Sequence, residues 1–203
     1  MKTKTAGILA AALLLTSCSG VGGNANPTAS TSSASASSAP STSSASSPTA
    51  TSAEDQAGQH AEAVYRDYLR AQTTCLSNPR KTLPTCFDAV AIGTELNTSL
   101  QSLRAAQEVD SKVSGDVTII SIKPTKVDLT NKVKDNPPTV PKVVFAVCLD
   151  VSKFNIVDKD GKSIVPPSRK PHVPVNVTVY NYQLPDPTQW RVGLVTEVKD
   201  GSC

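Results

Sequence analysis

Apolar and polar positions follow four different patterns along this 203-residue chain. Ala6 to Leu15 is a short, almost purely aliphatic run, well below the roughly 20 apolar residues needed to span a bilayer. From Pro27 to Ala53 every residue is Ser, Thr, Ala or Pro. With no large apolar side chain to bury, that stretch cannot offset the entropy lost on ordering and is expected to stay disordered. Helical spacing begins next. Ala57, Ala61, Val64, Tyr65, Tyr68 and Leu69 recur on one helical face, and Ser52 followed by Asp55 forms a capping-box-like start. A second helix is expected from Thr85, with Phe87, Ala91, Ile92, Leu96, Leu100 and Leu103 as its apolar stripe. Gly93 inside it weakens the helix by about 1 kcal/mol against Ala, so close packing there is the expected compensation.

Past Gly115 the period changes from helical to two. Strands are expected at 117–122, with a short continuation or partner at 126–130, at 142–157, at 173–184 and at 189–198. Asp158-Lys159-Asp160-Gly161 reads as a hairpin turn returning through 162–165. On the strand from Val173, the residues Val173, Val175, Val177 and Val179 share one face and Asn176, Thr178, Tyr180 and Tyr182 the other. On the last strand, strict alternation groups Trp190, Val192, Leu194, Thr196 and Val198 against Arg191, Gly193, Val195 and Glu197. Helices followed by antiparallel strands predict an α+β domain with helices on one face of a curved sheet. The chain thus divides into 1–17, a signal peptide; 18–53, a spacer; and 54–203, one domain.

The net charge of +3 changes little once it is apportioned. Lys2 and Lys4 precede the aliphatic run and the spacer is uncharged, which leaves the domain with 18 basic against 17 acidic residues. Such a balance gives no reason to expect nucleic acid or an anionic surface as partner, because either calls for clustered Lys and Arg. Four cysteines remain in the domain, Cys75, Cys86, Cys148 and Cys203, and an even number in an exported chain reads as two disulfides. Three connectivities are open. The expected pairing is Cys75 with Cys86 and Cys148 with Cys203, closing a short proline-containing loop and tying the last residue to a central strand. Zinc is disfavoured, since the cysteines lack knuckle spacing and His60 and His172 lie elsewhere in sequence.

A basic start, a short aliphatic run and Leu15-Thr16-Ser17-Cys18 together form a secretion signal. The last four residues resemble the bacterial lipoprotein lipobox, which implies that Cys18 carries a thioether-linked diacylglycerol and becomes the mature N-terminus. Two acyl chains are what stable anchoring needs. The implied location is the outer face of the cell membrane, and the spacer at 18–53 then acts as a tether. As a flexible coil its typical reach is about 30–35 Å.

The domain shows a second likeness. Ala61-Glu62-Ala63-Val64-Tyr65-Arg66-Asp67-Tyr68-Leu69, Val147-Cys148-Leu149-Asp150-Val151, Trp190-Arg191-Val192 and the terminal Gly201-Ser202-Cys203 resemble small secreted lipoproteins of actinobacteria and their phages. The domain of those proteins is similar to the nuclear transport factor two-like cone, with a cystatin-like sheet wrapped on a helix as the neighbouring alternative. Because that fold also hosts ketosteroid isomerase-like enzymes, an inward Asp, His or Tyr must be weighed. Asp116, Asp128, Asp150, His60 and His172 show no evident catalytic partner, and neither a nucleophile elbow nor a phosphate-cradling glycine loop is present. Asp158-x-Asp160-Gly161 looks like part of a calcium loop but lacks the remaining oxygen ligands and the distal Glu.

No catalytic residue, metal or cofactor is therefore assigned. The expected function is a non-catalytic binding module, lipid-anchored and engaging an envelope protein or its own copy. A small-molecule carrier or sensor with a cone cavity is the alternative, followed by the enzyme. The candidate contact face is Asn176, Thr178, Tyr180, Tyr182 and Arg191, since Tyr and Arg are enriched at interface hot spots.

Overall fold

The computed structural model describes residues 51–199 and 201–203. The signal peptide, Cys18 and all of the spacer before Thr51 lie outside the described residues. Two α-helices pack against an antiparallel sheet, the α+β arrangement expected from the element order. Helix α1 spans Ala53–Ser77. Its start is a complete capping box: Ser52 accepts from the Asp55 backbone N–H and Asp55 accepts in return from that of Ser52. Along α1, Ala57, Ala61, Tyr65 and Tyr68 of the predicted stripe are buried and Val64 and Leu69 partly so, while Leu76, further along, is buried as well.

The second helix departs from expectation. A 3-10 turn covers Pro84–Phe87, and α2 begins only at Gly93 and runs to Val109. Between them a turn at 88–90 closes on the Phe87 carbonyl, and Ala91 and Ile92 then lie along the sheet edge. The Ile92 N–H donates to the Val192 carbonyl at 2.9 Å and the Val192 N–H to that of Val90 at 2.8 Å. Gly93 then turns into the helix at φ +60, a conformation that costs little only without a Cβ. No neighbour lies within 4 Å of where its Cβ would stand, so close packing is not what Gly93 provides.

Strands β2 (Thr118–Asp128), β3 (Lys142–Asp150), β5 (His172–Asn181) and β6 (Trp190–Glu197) form one antiparallel sheet in that order. Strands β1 (Lys112–Ser114) and β4 (Asn155–Val157) pair separately. The long strand expected at 142–157 is thus two elements: β3 ends at Asp150, and Asn155–Val157 crosses to β1. Conversely, β2 is continuous through Pro124, with register shifts at Ile119/Ser121 and Pro124/Lys126. Asp158–Gly161 forms the predicted turn, but its return strand shrinks to a single bridge, Val157 with Ser163.

The inner face of the sheet carries Val143, Phe145 and Val147 from β3 and Val175, Val177 and Val179 from β5, all buried under the helices. Trp190, Tyr65, Phe87, Phe145 and Leu103 fill the space between the layers. Strict alternation fails on β6. A register shift between Thr178 and Val179 brings Leu194 opposite Thr178 and Val195 opposite Val177. One inserted residue at Gly193 exchanges the two faces beyond it, so Val195 turns toward the helices while Leu194 and Thr196 turn outward. Both expected disulfides form: Cys75–Cys86 with Cα atoms 6.2 Å apart and Cys148–Cys203 at 5.8 Å. Among the described residues no helix is long and apolar enough to cross a membrane.

Candidate functional site

Helices cover one face of the four-stranded sheet and leave the other open. The open face is built in cross-strand rows: Lys123, Ala146, Asn176 and Thr196 in one, and Lys126, Val144, Thr178 and Leu194 in the next. Ala146, Asn176, Thr196 and Leu194 are exposed at its centre. Period-two alternation on β5 places Asn176, Thr178 and Tyr180 together here, since that strand has no bulge within its own sequence.

The five candidate residues divide by role. Asn176 is exposed and Thr178 is half-buried within the sheet. Tyr180 lies over Gly193, where an added Cβ would run into its ring. Tyr182 follows just past the strand end, 51% exposed, its ring centroid 6.1 Å from that of Tyr180. Arg191 is committed elsewhere. Its guanidinium donates to the backbone carbonyls of Thr188 at 2.8 Å, Trp190 at 2.7 Å and Asp88 at 3.3 Å. It staples the β6 entrance to the segment before α2, so the open face offers tyrosine without a free arginine.

Sequence reasoning missed a buried polar cluster on the helix side. Glu95, in the first turn of α2, is 5% exposed. Its Oε1 accepts from the Tyr68 hydroxyl and its Oε2 from the Val195 N–H at 3.1 Å. Gln72 donates to Tyr68 Oη and to Ser99 Oγ, each at 2.7 Å. One carboxylate thus joins α1, α2 and β6. Burial, and then the negative charge of Glu95, push the phenols of Tyr65 and Tyr68 well above their ordinary value. The Tyr65 ring packs beside that of Tyr68 at 6.2 Å, but its hydroxyl is buried with no hydrogen-bond partner among the described residues. The spacing of Tyr65 and Tyr68 marked this face as interior, while Gln72 was not singled out. Nothing in the local pattern of α2 singled out Glu95, because its partners are 27 and 100 residues away.

The carboxylates and histidines weighed for catalysis are dispersed. Asp128 and Asp150 accept from the N–H groups of Thr130 and Ser152; hydrogen bonding from the hydroxyls of these two residues, and then from their N–H groups, holds both below the usual carboxylate range. Asp116, His60 and His172 are exposed. Asp158 accepts from the N–H groups of Asp160 and Lys162 and so organises its own turn. Two open clefts follow the seam between α1 and β2: one of about 440 Å³ beside Leu69 and Ile119, the other of about 540 Å³ beside Gly58 and Val127. Neither is lined by the Glu95 cluster.

Comparison with known proteins adds little. No protein-family model matches the chain, and no curated protein matches it. Among solved structures, the intermembrane space region of the chloroplast protein ARC6 aligns at a TM-score of 0.45 with 10% sequence identity, covering 69% of this chain and 95% of that one.

Proposed function

We propose that this protein is a non-catalytic binding module held at the outer face of the cell membrane by a diacylglyceryl group on Cys18, and that it engages an envelope protein or a second copy of itself through the open sheet face. The observation that carries this reading is the one-sided layering: helices bury one face of the sheet, while Ala146, Asn176, Leu194 and Thr196 stand in solvent on the other. Tyr182 at its margin supplies a large amphipathic contact. The carrier and enzyme readings are less well supported. Trp190, Tyr65 and Phe145 occupy the space that a cone cavity would need, and both Glu95 oxygens are already engaged.

The test replaces exposed residues at the centre of the face, Ala146→Arg with Asn176→Arg, and separately Tyr182→Ala. Partner capture by crosslinking on intact cells and self-association by sedimentation are read alongside the melting temperature. Loss of capture or of self-association with the melting temperature held within about 3 °C supports the reading. Unchanged capture and self-association in both variants would remove the face from consideration. Cys18→Ser checks the anchor, which is wrong if acyl labelling and membrane association persist.

A further inference from the structure

The near-neutral domain conceals a segregation of charge. Residues 53–111, mostly helical, carry eight acidic and five basic side chains, whereas 112–203 carry thirteen basic and nine acidic. Within the sheet the excess is concentrated along the β2–β3 hairpin, where 123–142 holds five lysines against Asp128 and Asp135. Lys123 and Lys126 pair with Ala146 and Val144 and so share the open face, and Lys142 lies opposite Asp128. At the tip, Lys132 and Thr139 exchange backbone hydrogen bonds of 2.8 and 3.1 Å, presenting Lys132 and Lys134 on either side of Val133, which is 44% exposed.

The two aspartates do not cancel this charge. Asp128 accepts from the Thr130 N–H at 3.1 Å and lies 3.9 Å from Lys126, leaving Lys123, Lys132, Lys134 and Lys142 against Asp135. Glu54 and Asp55 are near this end but on the helix side, where Asp55 is held in the capping box.

The chain also enters the domain here. Thr51 and Glu54 line the same cleft as Pro124 and Val127 on β2, so the spacer leading back to Cys18 arrives beside the lysine-rich hairpin. The loop between β3 and β5 holds a second basic group, Lys153, Lys159, Lys162, Arg169 and Lys170, but lies about 30 Å away along the strands. There Arg169 is committed to the carbonyls of Val151 and Phe154 and Lys159 to Asp160.

We propose that the hairpin, through Lys132, Lys134 and Lys142 around Val133, docks on the anionic lipid headgroups of the membrane that holds the anchor. The inference rests on the reading of Cys18 as that anchor. Clustered lysines beside an exposed apolar side chain suit an anionic bilayer surface. With the reach of about 30–35 Å expected from its composition, the spacer keeps the hairpin at high effective concentration over that surface, so a weak patch suffices. Docking there turns the hairpin end toward the bilayer and leaves the centre of the sheet face available to a partner.

The experiment uses the full chain, purified from membranes and reconstituted in vesicles of phosphatidylcholine alone or with about one-third phosphatidylglycerol. Lysines are acylated with a water-soluble reagent and the sites are read by mass spectrometry. In the anionic vesicles Lys132 and Lys134 should label about threefold more slowly than in neutral ones, relative to Lys159 and Lys162, and molar salt should erase the difference. In the doubly substituted Lys132→Glu, Lys134→Glu chain, protection at Lys142 should vanish. Equal labelling in both vesicles, protection of the far loop instead, or the same protection in detergent without vesicles would each overturn the proposal. A chain that never partitions into membranes shows that the anchor reading has failed. Flotation of that soluble chain with the same vesicles then decides docking separately, with salt-sensitive binding supporting it and no binding overturning it.

Discussion

Tyr65 and Tyr68 occupy the same face of α1, yet one hydroxyl holds a carboxylate and the other has no partner among the described residues. A phenol bonded to a buried charge contributes roughly 1.5–3 kcal/mol, while a buried hydroxyl without a partner is a net cost. Tyr68→Phe should therefore destabilise the domain by about 2 kcal/mol, leaving Glu95 short of a donor, whereas Tyr65→Phe should be neutral or stabilising. Denaturant unfolding of the two variants checks this, and equal losses would refute it. The same pair sets an alkaline limit. Because burial and then Glu95 raise both phenols, the folded state retains protons that the unfolded state releases once pH passes the ordinary phenol value near 10. Their contribution is complete below about pH 10 and is lost as pH rises above it toward the folded values. Unfolding curves between about pH 8 and 11 should show stability falling above 10, and the double Phe variant should fall less steeply.

Backbone geometry at single glycines decides where elements begin and which way they face. Gly93 and Gly115 both have positive φ, at +60 and +72, but their surroundings differ. Gly93→Ala meets open space and should cost only the left-handed penalty, about 1–2 kcal/mol. At Gly115 a Cβ would collide with the Lys153 carbonyl, so Gly115→Ala should cost clearly more and displace the segment between β3 and β4. Thermal unfolding ranks the two, and an equal or reversed order would mean that the backbone at 115 relaxes freely. Period-two reading of β5 succeeded because that strand is regular between two neighbours. On β6 it failed after Gly193, since a bulge cannot be read from side-chain pattern alone.

Two covalent ties shape the molecule at different ranges. Cys75–Cys86 closes a loop of 11 residues within the helical region, and Cys148–Cys203 one of 55 that fastens the C-terminus to the outer face of β3. In the chain-entropy description these are worth roughly 3 and 4 kcal/mol. Replacing Cys148 and Cys203 with Ala should lower stability more than the same change at Cys75 and Cys86, as differential scanning calorimetry would show; the reverse order would place the ranking in native-state contacts. The sheet's two edges are also treated differently. Val90–Ile92 pairs with β6, while β2 has no neighbour on its outer side among the described residues. Register shifts, Pro124, Lys123 and Lys126 there discourage open-ended strand pairing.

Local pattern was enough to establish the α+β class, the capping box at Ser52 and the valine face of β5, because each depends on short-range spacing, and the even number of cysteines pointed to two disulfides, whose pairing the fold then decided in the expected way. Local pattern also placed Asn176, Thr178 and Tyr180 on one face and kept the lysines of the hairpin in view only as part of a near-zero sum. Tertiary structure alone decided the rest. The first turns of the helix expected from Thr85 gave way to backbone bonds with a strand 100 residues later, Arg191 was withdrawn from the surface by three carbonyls, and Glu95 acquired partners from two other elements. The segregation of charge lies in the sequence counts themselves, but Lys123 and Lys126 came to share the open face only through the strand register. Each of these depends on contacts between residues far apart in the chain, and periodicity within a single segment carries no information about its distant partner.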